Sequence, residues 1–287
     1  MDDLVACLPE ALRGEPISRV SAGLSGAGVY RVGDRHILKI SPHYALTRLA
    51  SDAGVGPRVV HVDEARHAVV TELVADRGFM PLLMRDRATA LTLLGQTLRR
   101  VHDQPPPAGE PMDPRGFLAG IHRRIATMAL PAFATAAIDA ALAAEPPPRG
   151  PLVLSHNDPN PTNLVYDGER IVLLDWDTAG PNDAMWDLAA VATFLRMDAA
   201  SCLALLSAHE GATVRELPPR FAYCRRMSAA LSGTMFLMLA HEAGHPGDAA
   251  AQPPSTTGRP DIASADGKWT FGLSLVRAAS ADLHSPR

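Results

Sequence analysis

The chain has 287 residues, 47% of them hydrophobic and 20% charged, with a formal net charge of −4. That length lies near the ~250–300 residues at which single cores stop growing, so two lobes are expected. Without a cluster of Lys and Arg there is no basic stripe for a polyanion, which excludes nucleic acid as the expected partner. The start, Met1-Asp2-Asp3-Leu4, lacks the positive and apolar regions of a secretory signal. The longest apolar stretch, Met227–Ala240, is interrupted by Ser and Gly and is too short to span a bilayer. Cys7, Cys202 and Cys224 show no C-x-x-C spacing, so neither a disulfide framework nor a cysteine metal site is expected. A cytoplasmic protein with no membrane partner is the expectation, and composition leaves its oligomeric state open.

From Ile17 to Val74 the pattern is strand-like. Val29–Val32 and His36–Ile40 flank the turn-forming pair Gly33-Asp34, which predicts a hairpin, and Ala68–Thr71 is a further β-prone run. Between them only Tyr44–Asp52 is predicted helical. Beyond Val74 the period changes: Leu91, Leu94, Leu98 and Val101 have helical spacing within Ala88–His102. Proline-rich breaks at Gln104–Pro114 and Glu145–Pro151 bound an alanine-rich helical stretch from Phe117 to Ala144. The Asp167-Gly168 turn joins Leu164–Tyr166 to Ile171–Leu174 in a second predicted hairpin. The remainder is predicted helical apart from Pro246–Asp266. The expected architecture is α+β, with a small β-rich lobe over residues 1–74 and a larger helical lobe over 75–287.

The most informative stretch is His156-Asn157-Asp158-Pro159-Asn160-Pro161-Thr162-Asn163. Two prolines keep it from being a helix, and the hairpin that follows returns Asp175 towards Asn163. Phosphoryl transfer needs such a supply of oxygens: one carboxylate to orient an attacking hydroxyl, an amide oxygen and a second carboxylate to hold Mg²⁺ on the phosphates. The alternative is a polar turn whose side chains satisfy local backbone groups.

These residues resemble the aminoglycoside phosphotransferase and choline kinase family, relatives of protein kinases, whose members carry His-x-Asp-x4-Asn and then Ile/Leu-Asp-Trp/Phe. Here the motifs are His156 to Asn163 and Leu174-Asp175-Trp176, and the likeness extends from Ser21 to about Phe194. The resemblance implies a bilobal protein-kinase-like fold. It also implies ATP or another nucleoside triphosphate as cofactor with Mg²⁺, Asp158 as catalytic base, His156 as support for the loop, and Asn163 and Asp175 as metal ligands. Asp183 is expected to cap a helix.

Upstream, Ser21-Ala22-Gly23-Leu24-Ser25-Gly26-Ala27-Gly28 is a glycine-rich turn before a strand. Gly23, Ser25, Gly26 and Gly28 let backbone N–H groups approach phosphate oxygens. Lys39, on the next strand, stands where protein-kinase-like folds put the lysine of the α/β-phosphates. Thr71-Glu72-Leu73-Val74 resembles the family's hinge, so Glu72 and Val74 are expected beside the adenine. Kinases position the lysine with a helix-borne Glu, yet the only carboxylate between Lys39 and Gly54 is Asp52. Either another residue such as Glu64 or Glu72 substitutes, or the lysine is held differently.

The expected acceptor is a small hydroxylated molecule. His-Asn-Asp in place of His-Gly-Asp leans towards an amino alcohol of choline or ethanolamine type, with an aminoglycoside or another hydroxylated metabolite as the alternative. Asp177 and Trp269 are the expected acceptor contacts. Two rival readings stand beside this one: a kinase-like nucleotide-binding protein without catalysis, and a zinc hydrolase, because His241-Glu242-Ala243-Gly244-His245 matches H-E-x-x-H. Gly244 and Pro246 weigh against the continuous helix that the zinc motif needs.

Overall fold

The computed structural model describes residues 2–20, 28–255 and 261–280. The architecture is bilobal, with a β-rich N-lobe built on a five-stranded sheet and a helical C-lobe. By its contacts the chain forms two compact units. One comprises Met1–Ala108, Val153–Gly180 and Ser207–Thr213; the other comprises Gly109–Leu152, Pro181–Leu206 and Val214–Arg287.

The first unit opens with α1 (Asp2–Ala6) and the strands β1 (Ile17–Arg19), β2 (Gly28–Val32), β3 (His36–Ile40), β4 (Val59–Asp63) and β5 (Ala68–Glu72). Their order in the sheet is β1-β2-β3-β5-β4, every neighbouring pair antiparallel. The β2–β3 hairpin turns where the sequence places it, pairing Val32 with His36, and Gly33 takes φ 55°, a conformation that favours glycine. Strand alternation then divides β3. Leu38 enters a core with Cys7, Leu8, Val32, Ala68 and Val70, which leaves Lys39 on the opposite face of the sheet.

Helix α2 (Tyr44–Asp52) follows β3 with the predicted bounds and buries Thr47 and Ala50. After β5 come α3 (Phe79–Arg85), which the sequence pattern does not single out, and α4 (Arg87–His102). Asp86 caps α4 by accepting from the Thr89 N–H at 3.1 Å, and Leu91, Leu94, Leu98 and Val101 are buried as their spacing predicts. Strand β6 (Leu152–Ser155) leads to the polar loop, and β7 (Leu164–Tyr166) pairs with β8 (Ile171–Leu173), Leu164 opposite Leu173. Asp167 closes that hairpin by accepting from the N–H groups of Glu169 and Arg170, both at 2.9 Å.

The second unit is helical. Its elements are α5 (Pro114–Arg124), α6 (Ala132–Ala143), α7 (Ala184–Phe194), most of α8 (Ala199–Glu210), α9 (Pro219–Glu242) and α10 (Ala265–Ala279), with a short strand β9 (Gly180–Asp183) before α7. The single helical stretch expected from Phe117 to Ala144 is two helices. Pro131 is extended, at ψ 149°, and disfavours helical geometry at the residue before it. Asp183 caps α7 through the Met185 N–H at 2.9 Å, as expected, and also accepts from Arg220 Nε at 2.8 Å. The long α9 packs against α10, α7 and α5. Among the described residues no helix is long and apolar enough to cross a membrane.

Candidate active site

The site is built in the first unit from three pieces of chain: β3, the loop after β6, and the turn after β8. The loop begins at His156, fully buried. Its Nε2–H donates to the Leu174 carbonyl at 2.8 Å, while Nδ1 accepts the Asp158 N–H at 3.3 Å. Those two bonds define one neutral tautomer, and the ring lies 4.7 Å from Trp176, itself buried. His156 therefore ties the loop to the chain entering Asp175. Asn157 takes φ 64° and donates to the Thr178 carbonyl at 2.9 Å, and Thr178 Oγ1 returns a bond to the His156 carbonyl at 3.1 Å.

Asp158 follows with its carboxylate held from within the loop. Oδ1 accepts from Asn160 Nδ2 at 3.0 Å. Asn163 Nδ2 lies 3.0 Å from the Asp158 carbonyl and 3.4 Å from Oδ2. This use of the Asn163 nitrogen leaves its amide oxygen as the atom for a hard cation. The Asn163 carbonyl also accepts the Leu174 N–H at 2.9 Å, which brings the end of the loop beside Asp175. Asp175 stands in the left-handed region at φ 58°, a conformation in which a non-glycine residue is held by its surroundings.

Lys39 reaches the same place from β3. Its Nζ lies 2.6 Å from Asp175 Oδ1 and 2.9 Å from Asp177 Oδ2. Asp177 also accepts from Ser41 Oγ at 2.7 Å. The carboxylate beside the lysine is thus supplied by the turn after β8. Neither acidic substitute considered from the sequence occupies that position: Glu64 is exposed in the β4–β5 connection, and Glu72 pairs with Arg58, whose guanidinium holds the Glu72 carboxyl below its ordinary value.

Lys39, His156, Asp158, Asn163, Asp175 and Asp177 are therefore joined by a continuous set of bonds. Of the remaining expected residues, Gly28 begins β2 opposite Ile40, while Glu72 ends β5 and is followed by the half-buried Val74. Gly23, Ser25 and Gly26 lie outside the described residues. Trp269 belongs to the second unit, where it is buried on α10 and stacked on His245 at 4.6 Å.

The H-E-x-x-H stretch has no helical zinc geometry. Helix α9 ends at Glu242 and Gly244 takes φ 92°, so His241 and His245 do not share a helix face. Glu242 instead pairs with Arg124 at 2.6 Å, and His245 Nδ1 accepts the Gly247 N–H at 3.0 Å. Among the described residues no three His, Cys, Asp or Glu side chains cluster as a metal site. One amide oxygen and one carboxylate, from Asn163 and Asp175, fit the sparse all-oxygen set with which Mg²⁺ is commonly held on phosphates.

A model of the phosphotransferase enzyme family matches residues 16–222, well over half of the chain. No curated protein sequence matches. Among solved structures, the chain is similar to the choline/ethanolamine kinase family protein from Mesorhizobium loti, at 24% identity and a TM-score of 0.69, covering 96% of this chain and 98% of that one. It is also similar to LicA, the choline kinase from Streptococcus pneumoniae, in complex with AMP, at 13% identity and a TM-score of 0.63, with 97% of each chain covered. A third is the macrolide 2′-phosphotransferase MphH from Brachybacterium faecium, at 20% identity and a TM-score of 0.56, covering 90% and 100%. At these identities the structures establish the fold, and the family match establishes the family.

Proposed function

Because the chain belongs to the phosphotransferase enzyme family, the aminoglycoside phosphotransferase and choline kinase group of protein-kinase-like small-molecule kinases, we propose that it transfers the terminal phosphoryl group of ATP to a hydroxyl of a small molecule. The best-supported acceptor is an amino alcohol of choline or ethanolamine type. The observation that carries the reaction class is the linked set of Asp158, Asn163, Asp175 and Lys39 in one unit. The choice of acceptor draws support from the names of two similar proteins, a choline/ethanolamine kinase family protein and a choline kinase.

In this reading residues 1–74 form the N-lobe and 75–287 the C-lobe. Asp158 orients the acceptor hydroxyl and takes its proton as the oxygen attacks the γ-phosphorus. The new O–P bond forms as the bond to the β-phosphate oxygen breaks, and ADP leaves. Lys39 and the Gly23–Gly28 loop restrain the phosphates, and the backbone of Glu72–Val74 lies beside the adenine. His156 keeps the loop in register with Asp175. Asn163 and Asp175 would hold Mg²⁺, which when bound would neutralise charge on the nucleotide phosphates.

A coupled nucleotide-turnover screen against amino alcohols, aminoglycosides, macrolides, sugars and nucleosides tests the acceptor. An amino alcohol is expected to give the largest stimulation. Stimulation by an aminoglycoside alone would overturn the amino-alcohol assignment and leave the kinase assignment in place.

A further inference from the structure

We propose that Asp177 is the positioning carboxylate of Lys39, doing from the turn after β8 what a helix-borne Glu does in protein kinases. This rests on the reading of Lys39 as the lysine of the nucleotide phosphates. Helix α2 occupies the chain position of the Glu-bearing helix, but it turns Thr47 and Ala50 inward, and its sole carboxylate, Asp52, is exposed at its end. The same helix packs against the Trp176–Thr178 turn. Where the helix leaves its one acid exposed, the turn it packs against brings a carboxylate to the lysine.

Two features fit Asp177 to this role better than Asp175. Both of its oxygens are engaged by side chains of one strand end: Oδ2 by Lys39 Nζ at 2.9 Å and Oδ1 by Ser41 Oγ at 2.7 Å. Residues two apart on an extended chain face the same side, so Lys39 and Ser41 present two donors to one carboxylate. Ser41 Oγ accepts the His43 N–H at 3.1 Å, which directs the hydroxyl proton to Asp177. Asp175, by contrast, sits beside Asn163 through the Leu174 N–H and meets this strand end through one oxygen, on the lysine. An ammonium has three N–H groups. Asp177 engages one and Asp175 a second, leaving a third for a phosphate oxygen. If Asp175 turns to a cation, Asp177 still fixes the lysine.

A double-mutant cycle tests this. Asp177→Asn should lower kcat/KM for ATP roughly 10- to 100-fold, the scale of a misplaced catalytic contact. The same substitution in a Lys39→Ala background should lower it by less than about 2-fold, because the residue it acts through is gone. Asp177→Glu should recover part of the loss, and the Mg²⁺ concentration for half-maximal rate should stay within about 2-fold of wild type for Asp177→Asn. Additive losses, or a large rise in the Mg²⁺ requirement, would overturn positioning in favour of a direct metal or acceptor contact. The same cycle run on ADP affinity by calorimetry reads the coupling without turnover. Coupled ADP binding with no transfer to any acceptor would therefore sink the proposed reaction while upholding Asp177. Transfer with additive losses would do the reverse.

Discussion

Asn157 holds the second position of the loop motif at φ 64°, where glycine is comfortable and asparagine is among the few other residues tolerated. The backbone accounts for Asn or Gly there, with the Thr178 carbonyl as the side chain's partner. Asn157→Gly is accordingly expected to keep the acceptor preference, whereas Asn157→Val should cost about 1–3 kcal/mol in stability, readable as a lowered melting temperature. A changed acceptor preference in Asn157→Gly would restore the residue as a substrate signal. The meeting of Asp158, Asn163 and Asp175 was legible because they sit in short motifs with fixed spacing. The partner of Lys39 was not. Asp175 and Asp177 lie 136 residues from Lys39 and Ser41, and no local pattern encodes that meeting. At the same scale, Asp175→Ala should abolish magnesium-dependent nucleotide binding; calorimetry showing Mg-ATP bound as tightly as by wild type would remove the metal assignment.

At the scale of elements, both hairpins and helices α2 and α4 followed from alternation, turn residues and helical spacing. The Phe117–Ala144 stretch did not: alanine suits a helix throughout it, and the break at Pro131 is a backbone restriction that hydrophobic spacing does not carry. Helices α9 and α10 approach at Gly233 and Gly272, where a Cβ on either would come within 2.9 Å of the other's carbonyl oxygen. Gly233→Val should therefore destabilise the second unit by about 1–3 kcal/mol, measured by denaturant unfolding, because the crossing has no room for the added methyls. Near α4's end, His102 Nδ1 and His209 Nε2 lie 2.8 Å apart, and burial, then the neighbouring His102, pushes the His209 pKa below its ordinary 6.5. Glu210, 3.0 Å from His209 Nδ1, opposes that shift, and Arg99 adds to it. A depressed pKa means that the fold prefers neutral His209. Its contribution is present above about 6.5 and lost as pH falls below that value. Melting temperature should thus fall between pH 7 and 5.5 less steeply in His209→Gln than in wild type. Parallel curves would contradict this.

For the whole molecule, a β-rich part followed by a helical part was readable from the change of period after Val74. The grouping of residues 153–180 with the sheet was not, since it depends on long-range bonds such as Leu173 N–H to the Val55 carbonyl at 2.8 Å and Arg170 to the Gly54 carbonyl at 2.8 Å. Those bonds fasten the turn carrying Asp175 to the chain just after α2, and so gather the site in one unit. Glu242, at the end of α9, is paired with Arg124. Glu242→Gln should leave turnover unchanged, and the purified protein should hold no stoichiometric zinc by metal analysis. Phosphoryl transfer with Asp158 as base is read from the phosphorylated acceptor itself, quantified by mass spectrometry for wild type and Asp158→Asn with ATP affinity measured on both. Wild type is expected to form product, with a loss of ~10²–10⁴-fold in rate for the variant and nearly equal ATP binding; equal product from both proteins, or ATP bound by wild type with no acceptor ever phosphorylated, would rule out this chemistry.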